Sequence, residues 1–128
     1  MISTAFRRLA LFLIFVFSAS TQALSIDNST RVALQELLRT HISLKTQDGL
    51  FTYFDEDKVE VWALTLATIH PVILKRENRY MLCADFLAAN GDSILVDFII
   101  LPIDNSYIVE KEVLGRRSHL MTFFEKIL

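Results

Sequence analysis

Cysteine occurs once in this 128-residue chain, proline twice and glycine three times. A single thiol, Cys83, excludes any disulfide within the chain. So little glycine and proline excludes collagen-like and low-complexity architectures. Basic residues are outnumbered, 13 against 15 acidic, which leaves no general positive surface for a nucleic acid. Phosphate-binding loops, dinucleotide-binding glycine patterns, paired-cysteine motifs and a serine nucleophile elbow are all missing. The three histidines, His41, His70 and His119, are far apart and carry no ligand spacing. Asp55-Glu56-Asp57 lacks the alternating oxygen ligands and glycine of a calcium loop and reads as a solvated turn. The sequence therefore predicts no metal and no cofactor.

Hydrophobic residues make up 52% of the chain, too many for a disordered polymer. They are concentrated at the start. Arg7 and Arg8 precede an unbroken apolar run from Leu9 to Phe17, and Ser18 to Ala23 supplies small and polar residues. That order is the pattern of an export signal, with cleavage expected after Ala23 and Ser20 as the alternative cut. Nine apolar residues fall short of the roughly 20 needed for a membrane span. The expectation is a signal peptide at 1–23 and one domain at 24–128, with no stable membrane span after cleavage and a periplasmic or secreted address. With Arg7 and Arg8 removed, 11 basic residues face 15 acidic ones, a charge of −4.

The remaining chain reads as helix, strands, helix. Val32, Leu34, Leu37, Leu38, His41 and Ile42 recur near the helical period, with Asp27 or Ser29 placed to cap the start. From Leu50 the period becomes two. Strands are expected at 50–54, 59–69, 80–88, 93–101 and 107–113, with a brief extended piece at 72–74 after the His70-Pro71 break. Asn90-Gly91 and Asp104-Asn105 read as two-residue hairpin turns. Ser118 is placed to cap a final helix carrying Leu120, Met121, Phe123, Phe124 and Ile127. The fold class expected is α+β, an antiparallel meander sheet with an N-terminal and a C-terminal helix on one face.

Two-residue turns would pair Cys83 with Phe98, Asp85 with Val96 and Glu112 with Asp97. One face would then carry Met81, Cys83, Asp85, Leu87, Val96, Phe98, Ile100 and Lys111 and would be the core. Charges inside a core must be paired, so Asp85 and Lys111 are expected as a structural ion pair. The other face would leave Leu82, Phe86, Leu95 and Ile99 as an apolar patch. Contiguous exposed apolar surface marks an interface, so this patch is the expected binding site for a protein partner, a second copy (homodimerisation being the simplest case) or a small ligand. Cys83, flanked by Leu82 and Ala84, is expected buried and unreactive. The competing expectation is catalytic: Asp85 as a proton-shuttling base, with His70 or Tyr80 polarising a substrate.

The series His70-Pro71, Tyr80-x-x-Cys83-x-Asp85-Phe86, Asn90-Gly91 and Asp97-Phe98 resembles a group of small exported bacterial proteins of uncharacterised function. The likeness covers about residues 50 to 113. The helix followed by a curved antiparallel sheet is also similar to cystatin-like and nuclear-transport-factor-2-like folds; the isomerases among the latter imply the cavity-enzyme alternative.

Overall fold

The computed structural model describes residues 26–125; the expected signal segment and its cut after Ala23 lie outside them. The chain runs α1 (Asn28–Leu44), β1 (Thr46–Gln47), β2 (Leu50–Asp55), β3 (Glu60–Ile69), β4 (Leu74–Arg76), β5 (Arg79–Leu87), β6 (Ser93–Ile103), β7 (Ser106–Leu114) and α2 (Arg117–Glu125). All seven strands join one antiparallel sheet in the order β1-β2-β3-β5-β6-β7, with β4 also pairing β5. This is the α+β arrangement expected, a meander sheet between two terminal helices.

Local chemistry explains the ends of α1. The Asp27 side chain accepts a hydrogen bond from the Thr30 backbone N–H at 2.8 Å, satisfying one of the free amides of the first turn. Leu34, Leu38 and Ile42, each four residues apart, form its buried stripe. That stripe lies on the inner sheet face against Phe51, Leu64, Leu82, Ala84, Phe86, Val96, Phe98 and Ile100. A second, smaller cluster occupies the outer face, where Met81, Ile99 and Phe124 pack with Leu74, Val113, Leu120 and Met121. The helices therefore cover opposite faces, not one. Because β5 and β6 are apolar on both sides, each face requires a cover of its own.

The register differs from expectation by one residue, and the turns explain why. Leu87 opposes Ser93 and Cys83 opposes Asp97. The Ala88 N–H bonds the Asp92 carbonyl, closing a three-residue Ala89-Asn90-Gly91 loop with Gly91 at φ 87°. An Asn-Gly pair serves this longer loop, whose last residue must be left-handed, as well as it serves a two-residue one. The Asp104-Asn105 turn is two residues long as expected, with Ile103 opposite Ser106 and both turn residues at positive φ. An irregularity between Ile99 and Ile100 then places Glu110 outside the ladder, so that Glu112 faces Phe98 and Lys111 faces Ile99.

These two shifts dissolve the expected patch. Leu82 opposes Phe98 and Phe86 opposes Ile94 on the inner face, where Leu82 and Phe86 belong to the main core. Leu95 and Ile99 oppose Asp85 and Met81 on the outer face, Ile99 packing in the cluster that holds Phe124. The core face is accordingly Tyr80, Leu82, Ala84 and Phe86 with Val96, Phe98 and Ile100. Stability should divide these residues. Phe86→Ala should cost about 3–5 kcal/mol, and Leu95→Ala, only partly buried, well under half as much. Urea unfolding midpoints check this; equal losses would contradict the register.

Candidate functional site

Strand β3 loses its pairing at a defined point. The ladder with β5 slips between Leu66 and Thr68, so Thr68 opposes Asp85 and Ile69 opposes Ala84. One step on, the His70 backbone N–H donates to the Cys83 carbonyl at 2.9 Å. Pro71 has no N–H and ends the ladder there. Its carbonyl instead accepts from the Arg31 guanidinium at 2.9 Å, tying the break to α1. Held in this way, His70 shares the outer face with Asp85, and His70 Nε2 lies 2.6 Å from Asp85 Oδ2. About a third of each side chain is open to solvent. The two form an imidazole–carboxylate pair in hydrogen-bond contact at the surface.

Beside it lies a second polar pair. Asp97, directly opposite Cys83, is 1% exposed and accepts from Arg117 Nη1 at 3.0 Å. Burial pushes the Asp97 carboxyl up, while the facing guanidinium and, from further off, His70 oppose the rise. Burial also pushes the Cys83 thiol up, against the pull of Arg117. Cys83 is therefore a protonated, covered thiol rather than a ready nucleophile. The arrangement is polar chemistry at the edge of an apolar face. Among the described residues no group of three or more His, Cys, Asp or Glu is placed to hold a metal ion.

The structure brings two residues of the catalytic alternative together and separates the third. Tyr80 lies on the inner face, edge-on to Tyr107 with ring centroids 5.9 Å apart. The expected Asp85–Lys111 ion pair does not form. Asp85 opposes Leu95 and Lys111 opposes Ile99, four residues along β6, a separation of about 13 Å at the usual strand rise. Asp85 is satisfied by His70, and Lys111 is exposed.

A charged clamp stands where the sequence showed none. Glu112, thrown onto the inner face by the displaced Glu110, receives Lys45 Nζ at 2.6 Å and lies 2.5 Å from His41 Nε2. Burial alone would raise the Glu112 carboxyl, but His41 and Lys45 outweigh it and hold it below the ordinary value. His41 in the last turn of α1 and Lys45 at its C-cap are four apart, so their common direction is legible in the sequence; the bulge that brings Glu112 to them is not. A cleft of about 870 Å³ opens alongside, walled by β7, the β2–β3 turn and the first turn of α2. Lys45, Tyr53, Asp57, Glu112 and Arg116 line it, and Arg116 bonds Asp57 across it. Within it Lys45 is paired with Glu112 and Arg116 with Asp57, while Lys58 and Lys111 also line it.

The outer face of β2 and β3 is of another kind. Phe54 opposes Val61 and Thr52 opposes Ala63, with Leu50 and Thr65 continuing the two rows. None of these six positions is charged, and Phe54 and Val61 are 53% and 67% exposed. Leu87, opposite Thr65, extends the surface onto β5.

The clamp has a pH signature. Because the folded Glu112 carboxyl sits below its unfolded value, its contribution is complete above the unfolded value, near 4.3, and disappears as pH falls through the lower folded value. Glu112→Gln should lower stability at neutral pH by about 1–3 kcal/mol and flatten that part of the acid limb. Urea titrations from pH 7 to pH 3 check both.

The chain matches no protein-family model, no curated protein and no solved structure in comparisons with each.

Proposed function

We propose that this is an exported, non-catalytic interaction module that associates with a second copy of itself through the outer face of β2 and β3. One observation carries the reading: Leu50, Thr52, Phe54, Val61, Ala63 and Thr65 form two adjoining strand rows with no charged side chain. The helix α2 covers only the far part of the outer face, over Leu74, Met81, Ile99 and Val113. An uncharged face gains nothing from an acidic or basic partner. It fits another uncharged face, and two such sheets pack face to face at about 10 Å. A second copy supplies that face with matched twist and alternation. Phe54 and Val61, side by side and more than half exposed, are the anchors. This surface replaces the patch read from the sequence; the kind of function is unchanged.

A second reading rests on the His70–Asp85 contact, which would serve proton transfer to a small substrate. It draws support from two residues of the three first considered, since Tyr80 faces the interior.

Light scattering and sedimentation of the exported chain over a hundredfold concentration range test the first reading. A dimer is expected, reduced to monomer by Val61→Glu or Phe54→Glu while the circular dichroism spectrum stays unchanged. A native chain that remains monomeric at the highest concentration, or a dimer indifferent to both substitutions, overturns it.

A further inference from the structure

The turn between β2 and β3 carries a residue unsuited to its backbone. Asp55 opposes Glu60, so Glu56, Asp57, Lys58 and Val59 form a four-residue loop. Its last residue, Val59, lies in the left-handed region at φ 54°. A side chain crowds that conformation, and one branched at Cβ crowds it most. Among the described residues, Asp48, Glu77, Asp104 and Asn105 are the other non-glycine residues there, and none of them is branched at Cβ. Glycine or asparagine would hold the same turn with little strain.

The turn does not depend on the valine. Asp55 Oδ1 accepts hydrogen bonds from the Asp57 and Lys58 backbone N–H groups at 3.1 Å each, and Arg116 bonds the Asp57 carboxylate. Lys58 Nζ lies 6.0 Å from the centre of the Trp62 ring. Val59 itself is 77% exposed. A strained, branched, apolar side chain that its own chain leaves in water gains nothing from the single copy. Strain of this kind gathers where a contact uses it.

Its position indicates what that contact is. Val59 stands at the head of the outer-face row Val61, Ala63, Thr65, two residues before Val61. Three rows succeed one another across that face: bulky Phe54 and Val61, small Thr52 and Ala63, then Leu50 and Thr65 with Leu87 alongside. Facing sheets interdigitate. The bulky row of one copy therefore seats over the small row of the other, with the two-fold axis midway between them. Successive rows are about 7 Å apart. One further step carries Val59 of each copy to the row holding Leu50 and Leu87 of the other, both exposed in the single chain.

Given the sheet-face dimer, on which this rests, we propose that Val59 is an anchor of the self-contact, seated against Leu50 and Leu87 of the second copy. The left-handed valine then fixes the register: it is an apolar knob beyond the end of the ladder that fits one alignment of the two sheets. Sliding the sheets by one row in one direction sets the bulky rows on each other and leaves Leu87 uncovered. Sliding them in the other carries Val59 past the Leu87 row.

Sedimentation of the Val59→Gly and Val59→Asn chains tests the anchor. Each substitution should weaken the dimer roughly tenfold, the order expected for one apolar side chain removed from an interface. The urea midpoint, measured where the chain is monomeric, should not fall. A cysteine pair tests the register. Val59→Cys with Leu87→Cys should give a disulfide-linked dimer on mild oxidation. Val59→Cys alone should give none, because Cys83 is buried and the two copies' residues 59 lie about 20 Å apart in this arrangement. A dimer indifferent to Val59→Gly overturns the proposal, as does a midpoint that falls, and so does a dimer whose cysteine pair does not link. A dimer that responds to Val61→Glu and not to these changes keeps the sheet-face reading and removes the anchor; a native chain that stays monomeric removes both.

Discussion

Phe51 belongs to β2 and Phe98 to β6, with β3 and β5 between them, yet their rings lie 6.2 Å apart. Three strand spacings in a flat sheet would be about 14 Å. Phe86 stacks on Phe51 at 4.8 Å and lies 6.5 Å from Phe98. Closing these three rings around the α1 stripe requires the sheet to curl, and much else follows from that. Curling brings the β2–β3 turn toward the end of β7, where Asp57 meets Arg116. It places α1 on the concave side, where His41 and Lys45 reach Glu112. It also turns the outer surface convex. A nine-residue α2 spans only part of a convex surface, and the remainder of β2 and β3 is left to solvent.

The element order was legible because each period is clean. Leu34, Leu38 and Ile42 mark one helix face, and the β-branched run before His70-Pro71 marks a strand and its end. The pairing was not legible, since two single-residue events decide it. The first is a three-residue loop where Asn90-Gly91 suggested two. The second is the displacement of Glu110 from the β7 ladder. Neither leaves a signal in composition. In strands apolar on both sides, hydrophobicity cannot say which face is inside. Hence the sequence pattern groups Leu82 and Phe86 with Leu95 and Ile99, and sets Asp85 beside Lys111. The sequence offers Asp85 with His70 or Tyr80 as one catalytic alternative; which of the two meets Asp85 depends on the slip in β3.

Two carboxylates largely withdrawn from water, Glu112 and Asp97, show contrasting solutions to one problem. Removing a carboxylate from water costs several kcal/mol unless strong partners replace the solvent. Glu112 has two partners, His41 of α1 and Lys45 at its C-cap, and its carboxyl stays below the ordinary value. Asp97 has one direct cation, which is carried by α2, and its carboxyl is pushed up. The first therefore fixes α1 to the sheet firmly. The second makes the sheet's comfort depend on whether a basic helix start is present, which is a weaker and more conditional bond.

The displaced Glu110 also bears on the chain's fate in a crowded compartment. As the last strand of the sheet, β7 presents a row of free backbone groups, and a long regular edge of that kind templates the addition of further strands and the growth of aggregates. Here the row is broken at its middle by the extra residue. The break lies between Val109 and Lys111, and Glu110 itself is drawn back toward the sheet by Arg79 at 2.9 Å. An incoming strand would lose its ladder halfway and meet charge at the gap. The irregularity that builds the Glu112 clamp inside thus also stops the sheet from growing outward.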